Sequence, residues 1–367
     1  MFRKKGSYKF APDYTLLFLI ISLLFIGMVM VYSSSFIWSD YKYADKLFYV
    51  KRQLLFAGTG VVAMFITSIV PYATWKKYSK GILIGCFILL VIVLIPHVGL
   101  VRGGARSWIG VGAFSIQPSE FMKLGLIIFL AGFLEKNQKY ISSFKKGFLP
   151  AVLLVFLAFG LIMFQPDLGT GVVLVLTCFV MIYIAGAKLM HFIGLGLIGV
   201  GGFVYLILSA PYRISRISAF LNPWEDPLGD GFQIIQSLYA IGPGGLMGVG
   251  LGNSLQKYFY LPEPQTDFIF SILGEELGFI GATFVIGLFL LFFWRGIKVA
   301  IEAPDHFGRF LALGIVTMII IQVAINISVV IGLIPVTGIT LPFLSYGGSS
   351  LTLTLCSVGI LLNISRY

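Results

Sequence analysis

The chain has 367 residues, of which 58% are hydrophobic and only 11% charged, and its formal net charge is +11. This composition excludes an ordinary soluble domain, in which charged residues make up about a quarter of the total. A membrane helix needs about 20 apolar residues, and the chain holds roughly ten such runs. We therefore predict an all-α, polytopic membrane protein. Its positive charge lies mostly in short loops between the runs, which is a pattern of membrane topology and not of nucleic-acid binding.

Motifs of several other protein classes are missing from the sequence. Cys86, Cys178 and Cys356 lie within apolar runs without a CxxC pair, so we expect buried thiols and no disulfide framework. The three histidines show no metal-ligand spacing, and no Gly-x-x-x-x-Gly-Lys-Ser/Thr phosphate loop is present. These absences argue against a metal centre and against the use of ATP.

The predicted spans make one membrane domain, residues 1–367. Residues 97–117 are expected to form a loop, and the Pro/Gly-rich stretch 332–350 a re-entrant segment. The first four spans cover about residues 14–32, 53–70, 81–95 and 118–135. The fifth, sixth and seventh spans end near residues 165, 187 and 209. The eighth covers about residues 268–294, the ninth ends near residue 331, and the tenth precedes the tail 365–367.

Basic residues are concentrated on one side of the predicted membrane. With the N-terminus inside, the inner loops and tails hold most of the lysines and arginines, and the positive-inside rule makes both termini cytoplasmic. Residues 210–266 are then one large extracellular loop. Within it, Phe232, Ile235, Leu238 and Tyr239 share a helical face, which predicts a short helix in the membrane interface. The glycines at 242–252 indicate a flexible loop.

The stretch that ends this loop places a carboxylate at the membrane boundary. Pro262 and Pro264 exclude a helix before it, because proline lacks an N–H and restricts the preceding residue. We expect Thr266 to cap a helix that begins at Asp267. Glu263 lies four residues earlier, so both carboxylates can face one way if the turn is tight. Asp267 is then either a functional carboxylate or only a complement to the helix N-terminus.

Further charges lie within or beside the spans. Glu120 and Lys123 are three residues apart at the start of the fourth span, so they can pair, either as a structural salt bridge or in a substrate cavity. Glu275 and Glu276 lie inside the eighth span. One of them can face a polar cavity and the other the bundle interior, and a purely structural role is equally open.

The outer-face charges suit one kind of substrate. Arg213 and Arg216 lie just outside the seventh span, as interface anchors or as ligands of an anionic headgroup. Without ATP, an outward-facing enzyme needs a substrate with its own leaving group, such as a lipid pyrophosphate. Its site needs one base for an acceptor hydroxyl and cations for the departing pyrophosphate, whereas a glycosidase needs a second carboxyl group. Further outer candidates are Arg102, Arg106, Trp108, Asp167 and Lys257.

Several motifs together resemble the SEDS family, whose members serve shape, elongation, division and sporulation. They are RSWIG from Arg106, QPSEFMK from Gln117, QPDLGTG from Gln165, NPWEDP from Asn222, LPEPQTDFIF from Leu261 and a C-terminal signature from Asn326 to Ser350. The resemblance covers nearly the whole chain and is strongest to the sporulation member, then to the division member.

This resemblance implies an activity and a set of site residues. The family polymerises lipid II into glycan strands outside the bacterial cytoplasmic membrane, beside a class B penicillin-binding protein that cross-links the strands. Its essential aspartate, in the TDF motif, corresponds to Asp267, and the tryptophan of its RSW motif to Trp108. The acid and base of its QPSEFxK motif correspond to Glu120 and Lys123.

We therefore predict an inverting peptidoglycan glycosyltransferase whose partners are lipid II, the growing glycan strand, a class B penicillin-binding protein and the membrane. Asp267 would be the base and Glu263 would lie beside it; Mg²⁺ or Mn²⁺ is an optional further partner, although no ligand cluster is evident. The pyrophosphate would be held by Arg102, Arg106, Arg213, Arg216 and Lys123.

Two rival functions belong to other classes. A lipid II flippase would line a path through the membrane with Glu120, Glu275 and Glu276. A scaffold would only recruit the penicillin-binding protein. The charges crowd the outer side, which disfavours a path through both leaflets, and a scaffold does not need a poised carboxylate at Asp267.

Overall fold

The protein was analysed as a computed structural model that describes residues 11–102, 105–111, 114–208, 214, 220–229 and 231–367. Helices account for most of these residues, with one small sheet. The helices are α1 (Tyr14–Tyr43), α2 (Phe48–Ile69), α3 (Tyr72–Ile92), α4 (Pro118–Asn137), α5 (Leu149–Met163), α6 (Leu168–Ile184), α7 (Leu189–Leu208), α8 (Phe232–Gly244), α9 (Ile269–Glu302), α10 (His306–Val330) and α11 (Gly348–Ile364), and the strands are β1 (Gly99–Arg102), β2 (Ala105–Val111) and β3 (Phe114–Ile116).

The helices have the length and composition of membrane spans. Among the described residues, five are long and apolar enough to cross a membrane: Tyr14–Tyr43, Phe48–Ile69, Phe144–Met163, Ile269–Glu302 and His306–Val330. The helices α6 and α11 are apolar but shorter. The predicted all-α membrane fold is confirmed, while the number of about ten spans remains a prediction.

Short acidic side chains fix where several helices begin. Asp13 accepts a hydrogen bond from the Leu16 N–H at 3.0 Å and caps α1, and Asp305 accepts from the Gly308 N–H at 2.7 Å and caps α10. Each carboxylate satisfies a backbone donor that the first turn of a helix leaves without a partner. Pro118 opens α4, where its missing N–H removes nothing from the helix.

Helix α1 begins and helix α11 ends at the same end of the bundle. The Asp13 N–H donates to Ser365 Oγ at 3.1 Å. The Tyr72 N–H donates to Asn363 Oδ1 at 2.8 Å, and the Tyr72 hydroxyl donates to Asp305 Oδ2 at 3.1 Å. We call this the termini end. Since α3 starts there and α4 returns, the sheet between them lies at the opposite end, which we call the sheet end.

The segment predicted as a loop between the third and fourth spans contains a three-stranded antiparallel sheet. Strand β2 pairs with β1 and with β3, in the order β1-β2-β3. The register of β1 against β2 slips between Leu100, opposite Trp108, and Val101, opposite Arg106. Strand β2 therefore carries an extra residue at Ser107, a bulge of the kind that redirects side chains next to functional sites.

Helix α9 is broken at Gly278, which has φ 65° and ψ −165°. The break separates the carbonyls of Glu275 and Glu276 from the N–H groups of Phe279 and Ile280, their partners in an unbroken helix. The large loop supplies substitutes. Its Val249 and Gly250 N–H groups donate to the two carbonyls at 3.0 and 3.1 Å, and its Gly245 and Leu246 carbonyls accept from the two N–H groups at 2.9 and 3.1 Å. These four backbone groups are therefore satisfied again by the loop.

This exchange corrects one prediction about residues 210–266. The glycine-rich part was predicted as flexible, but residues 245–250 are held against α9 by four backbone hydrogen bonds. The predicted short helix is present as α8, and its place in the membrane interface remains a prediction. Of its predicted apolar face, Ile235 is buried, whereas Leu238 and Tyr239 are exposed. The buried Ser237 hydroxyl lies 2.7 Å from both Ser271 Oγ and the Val330 carbonyl, so α8 packs on α9 and α10.

Replacing Gly278 should destabilise the fold. A Cβ at this position would meet the backbone of Gly248 and Leu246, and the left-handed φ adds strain. We expect Gly278→Ala to lower the free energy of unfolding in detergent by about 1–3 kcal/mol.

The matched control for Gly278 is Gly287→Ala on the same helix, where an added Cβ meets nothing within 4 Å. This variant should be neutral or stabilising by up to about 1 kcal/mol. Equal unfolding curves for the two variants would show that the break does not need glycine.

Candidate functional site

The candidate carboxylate lies in the turn that precedes α9. The predicted cap is wrong: α9 begins at Ile269, and Thr266 does not cap it. The Thr266 hydroxyl lies 2.8 Å from both the Glu263 carbonyl oxygen and Asp267 Oδ1, so it donates to one of them at a time. Asp267 is half-buried, whereas Glu263 is exposed. The two predicted carboxylates therefore lie in different surroundings.

Asn326 of α10 fixes the backbone at Asp267. Its Nδ2 donates to the Asp267 carbonyl oxygen at 2.7 Å and to the Ile339 carbonyl oxygen at 2.8 Å. Both amide protons are thereby used, and the side chain is 1% exposed. A single buried amide thus ties the turn that carries the carboxylate to the segment that follows α10.

That following segment, residues 331–347, folds back into the protein without forming a helix. Phe343 and Ser345 are buried, and Ser345 Oγ accepts from the Leu341 N–H at 2.8 Å. The Tyr346 N–H donates to the Gln265 carbonyl at 2.8 Å, beside the candidate turn. The stretch predicted as re-entrant is therefore irregular backbone, and its residues 341–345 are buried within the protein, a setting in which membrane depth tolerates such backbone.

A second carboxylate, Asp167, joins two helices at the sheet end. Its Oδ1 accepts from the Thr170 N–H at 3.2 Å and caps α6. Its Oδ2 accepts from Gln117 Nε2 at 2.8 Å and from Ser119 Oγ at 3.1 Å, both at the start of α4. Three donors hold the carboxylate in place. The QPSEFMK and QPDLGTG motifs of the sequence thus meet in space.

Glu120 and Lys123 form the predicted ion pair. Lys123 Nζ lies 2.8 Å from Glu120 Oε1, and both side chains are buried. The pairing is confirmed; a contact of either residue with a substrate remains a prediction. Removing one partner of such a pair leaves a buried charge without compensation, so the pair is a strong local constraint.

The remaining predicted site residues are placed to different extents. Arg106 and Trp108 lie in β2, partly buried, on either side of the bulge. Arg102 is described only by its backbone, at the end of β1. Arg213 and Arg216 lie outside the described residues.

Aromatic rings and an exposed ion pair form the rim beside the turn. Tyr49 of α2 stands edge-on to Tyr346, with ring centroids 5.0 Å apart. Between α1 and α2, Asp45 accepts hydrogen bonds from Lys51 Nζ at 2.8 Å and from the Leu47 N–H at 3.0 Å. The Lys51 hydrogen bond, followed by the Leu47 N–H, lowers the pKa of this carboxyl below its usual value.

The predicted optional cation has no evident protein site. In the part of the chain that the structure describes, no three His, Cys, Asp or Glu side chains come together as ligands. Mg²⁺ is often held by one or two carboxylates together with substrate phosphates, so such a cation would depend on the substrate.

Sequence reasoning missed the residues that hold the candidate turn and the Asp167 carboxylate. Asn326, Gln117 and Ser119 received no site role, although an amide within an apolar span is costly unless it is used. That cost was the available signal for Asn326. The partner carbonyls of Asp267 and Ile339 had no signal, because backbone groups are the same at every position.

Asn326→Leu should destabilise the protein and loosen the turn. The substitution leaves two carbonyls without a donor, which costs about 1–3 kcal/mol. We expect a lower free energy of unfolding and faster amide hydrogen exchange in residues 265–271.

The matched control for Asn326 is Gln322→Leu, one helical turn earlier. Gln322 Nε2 is buried without a hydrogen-bond partner in the described structure, so its loss should be neutral or stabilising. If Asn326→Leu behaves like this control, the amide does not hold the turn.

Sequence relatives of the chain cover its full described length. The sequence profile of the FtsW/RodA/SpoVE family, described as cell cycle protein, matches residues 14–367. The chain is 66% identical over 359 residues to stage V sporulation protein E of Bacillus subtilis (strain 168), which is 98% of each chain. It is 45% identical over 353 residues to a probable peptidoglycan glycosyltransferase FtsW of Geobacter sp. (strain M18), which is 96% of each chain.

Solved structures share the fold. A chain from a structure titled as the structural coordination of polymerization and crosslinking by a peptidoglycan synthase complex matches with a TM-score of 0.81 and 31% identity, over 97% of this chain and 98% of that chain. The crystal structure of the rod shape determining protein RodA of Thermus thermophilus matches with a TM-score of 0.72 and 29% identity, over 97% of each chain. The predicted fold class is confirmed by these matches.

Proposed function

The chain belongs to the FtsW/RodA/SpoVE family, which is the SEDS family that the motifs resemble, and from this premise we propose that it is a peptidoglycan glycosyltransferase that polymerises lipid II. A relative 45% identical to it is named as a probable enzyme of this kind. The observation that carries the proposal is the half-buried Asp267, whose backbone is tied to α10 by the 2.7 Å hydrogen bond from Asn326. A fixed carboxylate at the mouth of a membrane bundle suits a general base.

In the proposed reaction, Asp267 takes the proton from the GlcNAc 4-hydroxyl of one lipid II molecule. The freed oxygen attacks the anomeric MurNAc carbon of the growing chain, a new glycosidic bond forms, and the bond to undecaprenyl pyrophosphate breaks. The stereochemistry at the anomeric carbon inverts, because there is a single displacement. A turn with fixed ends keeps the base in place relative to the bundle, which favours this step.

The departing pyrophosphate needs cations near Asp267. We assign this role to Arg106 and Lys123, with Arg102, Arg213 and Arg216 as further ligands. Lys123 already pairs with Glu120 at 2.8 Å, so part of its charge is compensated and it does not act as an isolated cation. Guanidinium groups suit the role because they bind phosphate oxygens in a bidentate way. No step of the proposed reaction uses a divalent cation.

The site would face the outside of the bacterial cytoplasmic membrane. The positive-inside rule supports cytoplasmic termini, and the sheet end, which carries Asp267, lies opposite the termini. Lipid II would then enter laterally from the outer leaflet.

The flippase alternative gains no support from the glutamates on which it depends. Glu275 and Glu276 are 1% and 0% exposed, and both carboxylates are hydrogen-bonded by neighbouring protein groups. These hydrogen bonds support the structural role, which was one of the two roles left open for the two glutamates. Glu120 is likewise paired with Lys123.

Asp267→Asn should abolish strand synthesis. The swap keeps the size of the side chain but removes the base, and loss of a general base costs about 10²–10⁴-fold in rate. The measurement is gel analysis of glycan strands made by purified protein from lipid II, with the amount of folded protein checked by unfolding.

The control for Asp267 is Asp45→Asn, a carboxylate at the same end that pairs only with Lys51 and a backbone N–H. It should make strands at the wild-type rate. Strands from Asp267→Asn at the wild-type rate would remove this residue from the role of base.

A class B penicillin-binding protein is the proposed partner, and the large loop its proposed docking surface. One solved structure of a similar chain belongs to a peptidoglycan synthase complex. Leu246 and Met247, beside the break in α9, are exposed, and a partner would cover such side chains. If strand synthesis by the chain together with this partner requires Asp267, the chain is not only a scaffold.

The large loop should respond to this partner. We expect slower amide hydrogen exchange in residues 210–266 and faster strand synthesis when the partner is present. Residues 303–306 at the termini end are the internal control and should not change. Equal exchange and equal synthesis with and without the partner would contradict the coupling.

A further inference from the structure

A fully buried lysine lies in the loop before the candidate turn. Lys257 is 0% exposed, and its Nζ lies 3.0 Å from Glu276 Oε1, which is also 0% exposed. The same Nζ donates to the Gly252 carbonyl and lies 4.9 Å from the centre of the Phe36 ring. A buried ammonium group is tolerated only with this kind of complete pairing.

Helix α1 and the rest of the loop complete the coordination. Ser33 Oγ of α1 lies 2.7 and 2.6 Å from the two carboxylate oxygens of Glu276. The neighbouring Glu275 accepts from Ser254 Oγ at 2.5 Å and from the Leu255 N–H at 2.8 Å. Three separate parts of the chain, α1, the loop and α9, therefore meet at these two carboxylates.

The position of the ion pair in the chain gives it a further consequence. Lys257 lies ten residues before Asp267 and Glu276 lies nine residues after it. The 3.0 Å contact therefore closes a loop of the chain, and the residues within this loop are the segment that carries the proposed base. Fixing both ends of a segment reduces the conformations open to the residues between them.

We propose that the Lys257–Glu276 pair is a clasp that positions Asp267 for the reaction. The two residues touch no substrate; they are positioning residues, and the inference rests on the proposed function. The clasp restrains the turn through the start of α9, whereas Asn326 restrains it through the Asp267 carbonyl. Hydrophobic residues of similar volume would often give equal or greater stability than a buried ion pair, so stability alone does not account for it.

The test compares turnover, lipid II binding and hydrogen exchange in four purified proteins: wild type, Lys257→Met, Glu276→Gln and the double variant. Misplacing a reacting group by about 1 Å can cost about 100-fold in rate. We expect each single variant to lose about 10–100-fold in turnover per folded molecule, with lipid II affinity unchanged. Amide exchange in residues 258–268 should become faster.

The double variant separates a clasp from two independent effects. Because both residues act through one contact, the double variant should lose no more turnover than the worse single variant. Additive losses, or wild-type turnover in both single variants, would overturn the proposal.

A second ion pair provides the matched control. Arg295 Nε lies 2.5 Å from Asp13 Oδ2 at the termini end, far from the turn. Arg295→Met should change stability but leave both turnover per folded molecule and exchange in residues 258–268 unchanged. If it slows turnover as much as Lys257→Met does, the effect is general and the clasp is wrong.

Failure of the proposed function and failure of the clasp can be distinguished. If wild-type protein makes no strands, the proposed function fails, whereas the exchange measurement still reports whether the pair restrains residues 258–268. If Lys257→Met does not fold, Glu276→Gln carries the test alone, since it keeps the size of the side chain and removes the charge that faces Lys257. Wild-type turnover and wild-type exchange in Glu276→Gln would then overturn the clasp.

Discussion

The exchange of backbone hydrogen bonds at the break in α9 is the interaction on which the sheet end depends. A helix interrupted within a membrane leaves polar groups that cannot be left without partners. Here Gly278 allows the interruption, and residues 245–250 supply the missing partners. The break holds the large loop against the bundle, and the loop in turn brings Lys257 and Ser254 to the two buried glutamates. Without the break, α9 would offer no free backbone groups to residues 245–250.

The candidate turn is held from several directions because it has no regular structure of its own. Asn326 binds its backbone, Gln265 of the turn accepts from Tyr346, and the start of α9 follows directly. In a membrane bundle, rigid helices are the available supports, so the positions of polar side chains on α10 decide where an irregular segment can rest. A functional carboxylate on such a segment combines solvent access with a fixed position.

Much of the fold was predictable from the sequence because each membrane helix corresponds to a local run of apolar residues. The pairing of Glu120 with Lys123 was predictable for the same reason, since it depends only on helical spacing. The sheet was missed because its strands are three to seven residues long and interrupted by glycines. The Thr266 cap was wrong because the helix begins two residues later than predicted, with Phe268 at the cap position. The loop exchange at Gly278 depends on contacts between distant parts of the chain that no local pattern reveals.

The hydrogen bond between Asp13 and Ser365 brings the first and last helices together at the termini end, away from Asp267. Anything attached near either of these helix tips, such as a fused domain or an affinity tag, would therefore stand on the side of the membrane opposite the proposed chemistry. Joining the two tips through a short linker would leave the packing of the helices unchanged, so the polypeptide could be reopened at another surface turn. The protein is thus suited to reporters and to circular permutation at an end where neither would obstruct a lipid substrate.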